Sequence, residues 1–69
     1  MRWAARQRQD FIAQRIRENG KINRKEIMAE FGVNGVTATM DMQRYIHDNP
    51  GAIRYNTKTK RYEAIHVDE

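Results

Sequence analysis

The stretch from Ile22 to Ile46, INRKEIMAEFGVNGVTATMDMQRYI, constrains the chain most, because its start and stop signals divide it into two short helices joined by a tight turn. Asn23 is a candidate N-cap with Glu26 three residues on to close a capping box, and Ile22 and Ile27 stand as a hydrophobic staple. Phe31-Gly32-Val33-Asn34 then supplies an aromatic to bury, a glycine free to take positive φ past the helix end, an apolar turn residue and a second N-cap. From Thr37 to Ile46 the apolar residues Ala38, Met42, Tyr45 and Ile46 recur at helical spacing. That spacing turns them inward and leaves Thr37, Thr39, Met40, Gln43 and Arg44 facing out. The pair reads as a helix-turn-helix, with its second helix as the candidate DNA-reading element.

The flanking segments supply what such a pair needs around it. Trp3, Ala4, Phe11, Ile12 and Ile16 recur with a three-to-four residue period, which predicts a long amphipathic helix from about Arg2 to Asn19 ending at Gly20. Lys21-Ile22 follows as a short extended piece. Trp3 lies far from Phe11 and is expected either to dock a partner or to cap the core edge, the first being favoured. The second helix, roughly Arg24 to Phe31, turns Ile27, Met28 and Phe31 inward and Arg24, Lys25 and Glu30 outward. After the third helix, His47-Asp48-Asn49-Pro50-Gly51 is dense in residues that stop helices and start turns. Ala52 to Tyr55 and Arg61 to Ile65 then read as two strands around the polar turn Asn56 to Lys60, a β-hairpin with Ile53, Tyr55 and Tyr62 on its inner face. Asp41 and Arg44, three apart on the third helix, are expected to form a local ion pair or a packing bridge rather than an acid-base device.

Sixty-nine residues allow one domain, at a size where a single core is only marginally sufficient. The absence of cysteine excludes disulfides and thiolate zinc sites, so packing alone must hold the fold. No run approaches the roughly 18 apolar residues of a transmembrane helix, and the arginine-bearing N-terminus lacks the apolar core of a secretory signal, which makes a cytoplasmic, nucleoid-associated protein the expectation. The net charge of +4 is unevenly spread: +3 over residues 1–20, +1 over 21–34, −1 over 35–50, +4 over 51–62 and −3 over 63–69. Basic regions thus flank a nearly neutral reading helix, an arrangement that suits phosphate contacts on either side of a base-contacting surface. The plainer alternative is a solvated basic surface.

These residues resemble a known family. RWAARQRQDFIAQRI, INRKEIMAEFGV, DMQRY and NPGAIRYNTKTKRY are similar to the N-terminal winged helix-turn-helix of bacterial WYL-domain transcription regulators, in particular the repressors beside phage-defence islands such as the BREX systems. The likeness runs from Arg2 to about Ala64, and a shorter part of it is DeoR-like. It implies an α+β fold of three helices followed by a β-hairpin wing, and a homodimer that binds an inverted-repeat operator in double-stranded DNA and represses transcription. Asn34, Gly35-Val36 and Met42 depart from the residues usual at their positions, so the operator sequence does not carry over. The 69 residues hold no counterpart of the WYL and C-terminal domains, so the expectation is either an excised DNA-binding domain or a free-standing short relative. On this reading residues 1–65 are the DNA-binding domain and residues 66–69 a flexible tail or cut linker.

The chemistry in the sequence is that of binding. No nucleophile with a base, carboxylate pair or glycine-rich phosphate loop is evident, and His47 and His66, nineteen residues apart, have no ligand set beside them. The expectation is therefore no enzyme, no metal and no cofactor. Base contacts are expected from Asn34, Thr37, Thr39, Met40 and Gln43, with Arg44 at the boundary, and phosphate contacts from Arg24, Lys25, Lys58 and Lys60. Gly35, Val36 and Thr59 belong to the same surface. The competing reading is a winged domain used for protein docking or dimerisation, which would more naturally carry an apolar patch on the third helix.

Overall fold

Helix α1, Arg2–Asn19, carries Phe11, Ile12 and Ile16 on one side and ends where Gly20, at φ 75°, donates its amide to the Ile16 carbonyl at 2.9 Å. The computed structural model describes Arg2 to Ile65; the acidic end from His66 to Glu69, expected to be a tail, lies outside the described residues. Next comes β1, Lys21–Ile22, and then α2, Arg24–Phe31. Both halves of the capping box form: Asn23 Oδ1 accepts from the Glu26 amide, and Glu26 Oε2 accepts from the Asn23 amide, each at 3.1 Å. Ile22 and Ile27, the staple pair, are both fully buried. Gly32, at φ 65°, closes α2 by donating to the Met28 carbonyl at 2.8 Å, and a side chain there would be strained by that φ.

Helix α3, Gly35–Asp48, is capped by Asn34, whose Oδ1 accepts from the Thr37 amide at 2.9 Å. It starts two residues before the apolar pattern suggests, because capping sets the start and the first turn carries no inward residue. Strands β2, Ile53–Asn56, and β3, Arg61–Ala64, form the expected hairpin. The sheet has a third member: β1 pairs antiparallel with β3, giving the order β1-β3-β2 with Ile22 opposite Tyr62 and Tyr62 opposite Tyr55. The two-residue strand before the helix-turn-helix therefore ties the wing to the front of α2.

The core is small and drawn from almost every element. Ile12 comes from α1, Ile22 from β1, Ile27 from α2, Ala38 and Met42 from α3, and Ile53 from β2. At roughly 1.5–3 kcal/mol for each large side chain fully buried, the loss of one is a substantial part of the stability of so short a chain. Around it, Phe11 and Phe31 meet edge to face with ring centroids 5.4 Å apart, joining α1 to the end of α2.

Two expectations need correction. Asp41 does not pair with Arg44: it is buried on the inner side of α3, where Arg8 Nε donates to its Oδ2 at 2.5 Å and Gln9 Nε2 donates to its backbone carbonyl at 2.8 Å. Its helical position faces α1, while Arg44 points outward and pairs with Asp48 at 2.9 Å. Tyr55 is not an inner-face core residue. It is 47% exposed and rests its ring on Tyr62, centroids 4.8 Å apart, because β2 is the sheet edge and no helix covers its far end. Of the two alternatives for Trp3, capping of the core edge is the one that its 68% exposure removes.

The Arg8–Asp41 pair yields the first prediction. Asp41→Ala strands a mostly buried guanidinium and should lower unfolding free energy in urea by about 3 kcal/mol, whereas the paired replacement Arg8→Met with Asp41→Leu should recover most of that loss.

Candidate nucleic-acid interface

With Asp41, Ala38, Met42 and Tyr45 turned inward, α3 has one face left. Val36, Met40, Gln43 and His47, spaced by four, three and four residues, form a single exposed stripe along it. Val36 is 69% and Met40 63% exposed, and nothing in the described chain covers them. Thr37 and Arg44 lie on one flank of the stripe and Thr39 on the other. The stripe's centre is thus apolar, formed by Val36 and Met40 of the expected set. Its methyl-bearing side chains suit thymine methyl groups, and Gln43 supplies a donor and an acceptor for a base edge.

Several expected contact residues have duties inside the fold. Asn34 is exposed, but its oxygen is occupied by the Thr37 amide, leaving its NH₂ group for a partner. Thr39 does not stand free as the outward pattern suggests. It is half-buried, and its Oγ1 accepts a hydrogen bond from Arg24 Nη1 at 2.7 Å, since this flank of α3 packs toward the start of α2. Arg44 is exposed and held by Asp48, whose carboxyl stays below its usual range through hydrogen bonds first from His47 and then from Arg44. Lys25 is exposed on the first turn of α2. Gly35 opens α3 without positive φ; a Cβ built there would meet Arg24 Nη1 at 3.9 Å and Met28 Sδ at 4.0 Å, ordinary contacts.

The wing tip is organised by Asn56, a residue the turn composition alone did not single out. Its Oδ1 accepts from the amides of Lys58 at 2.9 Å and Thr59 at 3.3 Å, its carbonyl accepts from the Lys60 amide at 2.7 Å, and its Nδ2 donates to the Glu63 carboxylate. Lys58, Thr59 and Lys60 are consequently exposed together at the end of a pinned turn. The ion pairs among the described residues involve neither lysine. Lys60 takes φ 59°, the left-handed region that a lysine enters only at some cost. Burial raises the Tyr62 phenol above its ordinary pKa, and the Arg24 charge partly offsets this, so α2's first arginine also acts on the centre of the sheet.

His47 is exposed at the end of α3 and extends the stripe; the i, i+4, i+7, i+11 spacing from Val36 is the sequence signal for it. His66 lies outside the described residues. Among those described, no group of three or more His, Asp or Glu side chains could hold a metal ion. A shallow hollow bordered by Glu18, Asn19, Lys21, Asn23, Glu26 and Arg61 includes none of the expected contact residues.

Three helices, a capped two-helix unit with one free face on α3, and a hairpin with a lysine-bearing tip define a winged helix-turn-helix domain. Residues 4–66 match the family model of the BrxR transcriptional regulator winged helix-turn-helix domain, and the chain belongs to that family. The resemblance drawn from the four sequence segments is thereby upheld. Among its relatives are the DNA-binding transcriptional repressor CapW of Pseudomonas aeruginosa, 32% identical over 63 residues, and that of Escherichia coli, 30% identical over 63 residues. In each case the match covers 91% of this chain and 21% of the relative, so the chain spans about a fifth of the length of these relatives.

Lys60→Gly separates conformation from charge at the wing. It should raise stability by about 1 kcal/mol in thermal denaturation by relieving the left-handed backbone, while removing one cation from the tip.

Proposed function

We propose that this chain is the DNA-binding part of a transcriptional repressor, with α3 in the major groove and the wing on the adjacent backbone or minor groove. The observation that carries this is the free face of α3: a helix held from behind by a buried ion pair and core contacts, presenting Val36, Met40 and Gln43 with a pinned, doubly cationic turn at the wing. Thr37 and Gln43 hydrogen-bond base edges, Val36 and Met40 lie against thymine methyls, and the Asn34 NH₂ group and Arg44 mark the two ends of the reading surface. Lys25, Lys58 and Lys60 hold phosphates, with Thr59 beside them. Residues 1–65 act as the domain.

The protein acts as a homodimer on an inverted repeat, assembled with parts of a longer chain, since the relatives are more than four times the length of this one. It works in the cytoplasm on the nucleoid as a binding protein and not as an enzyme. No helix among the described residues is long and apolar enough to cross a membrane. The exposed Val36 and Met40 are also the observation that would suit a protein-docking face. Selection from random duplex DNA separates the two: enrichment of a palindrome with half-sites about one helical turn or a multiple apart supports the repressor, and retention of no sequence supports docking.

Two further outcomes follow. Replacing Lys58 and Lys60 together by Ala should weaken all duplexes alike and reduce the slope of log affinity against log salt by about two units, since each phosphate contact contributes roughly 0.9. Thr37→Ala or Gln43→Ala should cost about 1–3 kcal/mol on the selected site and little on unrelated DNA, as read by equilibrium titration.

A further inference from the structure

Arg24 is the first residue of α2, and its guanidinium bonds to Thr39 in the second turn of α3, fifteen residues away. The contact runs against the simplest electrostatics, because a cation on the opening turn of a helix faces the positive end of the helix dipole. The ion pairs of the described residues do not include Arg24, so no carboxylate holds it in place. Its guanidinium also lies near Gly35, the first residue of α3, where even an added Cβ would come only to 3.9 Å. One arginine thus spans the two helices of the motif, fastened by a neutral hydroxyl. A guanidinium carries five N–H donors in a planar fork, and this bond occupies one position of it.

We infer that Thr39 is a positioning residue that does not read a base: its hydroxyl fixes the Arg24 guanidinium against α3 so that the remaining N–H groups meet a DNA backbone phosphate. This rests on the DNA-binding reading above. Thr39 is suited to the task because one of its two acceptor lone pairs is already engaged by Arg24 and its half-burial keeps it back from the stripe formed by Val36, Met40 and Gln43. The benefit is entropic: an arginine loses substantial rotamer freedom when it grips a phosphate, and a hydroxyl that selects the gripping rotamer beforehand removes part of that loss. The contact is insensitive to sequence, so it sets the register of α3 on the duplex without contributing to the choice of site.

The test measures affinity and its salt dependence on a selected duplex and on an unrelated one, for wild type, Arg24→Ala, Thr39→Val, Thr39→Ser and the double variant Arg24→Ala with Thr39→Val. Arg24→Ala should weaken both duplexes about tenfold and lower the salt slope by about 0.9. Thr39→Val, which keeps the side-chain shape and removes the hydroxyl, should weaken both duplexes roughly three- to fivefold with an unchanged melting temperature, and Thr39→Ser should restore binding. The double variant should bind no more weakly than Arg24→Ala alone. A loss confined to the selected duplex in Thr39→Val, losses that multiply in the double variant, or no change on removing the hydroxyl would each overturn the assignment. Absence of salt-dependent binding by wild type to either duplex would instead overturn the DNA-binding reading itself.

Discussion

The ion pair between Arg8 and Asp41 is the constraint on which the placement of α3 depends. Asp41 is the buried charged residue of the described chain, and a carboxylate is withdrawn from water only where its lone pairs find donors. Arg8 supplies one through its side chain, and Gln9 binds the carbonyl of the same residue, so two neighbouring positions of α1 grip one turn of α3. An apolar contact would tolerate rotation of α3 about its axis. A buried charge pair does not, because turning the helix would leave both partners unsatisfied. The stripe from Val36 to His47 lies on the side of α3 away from that grip, and its exposure follows from it.

Two further devices carry the orientation outward. Glu26 caps α2 through one carboxylate oxygen and approaches Arg15 of α1 at 3.5 Å with the other, so the start of the helix-turn-helix is referred to the same long helix as its end. The β1–β3 pairing then links Ile22, the residue before the N-cap, to Tyr62 of the wing. Helix face and wing are fixed to one frame of α1 and a three-stranded sheet. Among the described residues the buried core that holds this frame is six side chains.

Much of this was legible in the sequence, and the reasons are local. The capping box at Asn23 and Glu26, the staple of Ile22 and Ile27, the Gly32 terminator and the Asn34 cap are interactions among residues within five positions of each other, and each formed as read. The hairpin followed from turn composition. What escaped were pairings set by distance in the chain. Asp41 has an arginine three residues away on its own helix, so a local pair was the natural expectation; that its partner is Arg8 depends on α1 crossing α3 at that turn. Thr39 and Arg24 are similar: periodicity turns both outward and does not say that α2 ends up against that flank of α3, where Thr39 is half-buried. The exposed side of Tyr55 reflects the sheet edge, a property of strand order that alternation along a strand does not contain. His47 is the opposite case, because its place on the stripe is visible in the helical spacing from Val36 alone.

The claim at the centre is that the free face of α3 and the tip of the wing meet the same duplex. Nuclear magnetic resonance of the isotope-labelled protein titrated with a selected duplex reads this directly, residue by residue. The backbone amides of Gly35 to Arg44 and of Thr57 to Lys60 should shift together and saturate at one stoichiometry, while those around the core residues Ile12 and Ile53 stay in place. Shifts centred on Trp3 and the start of α1, with α3 and the wing unperturbed, would contradict it.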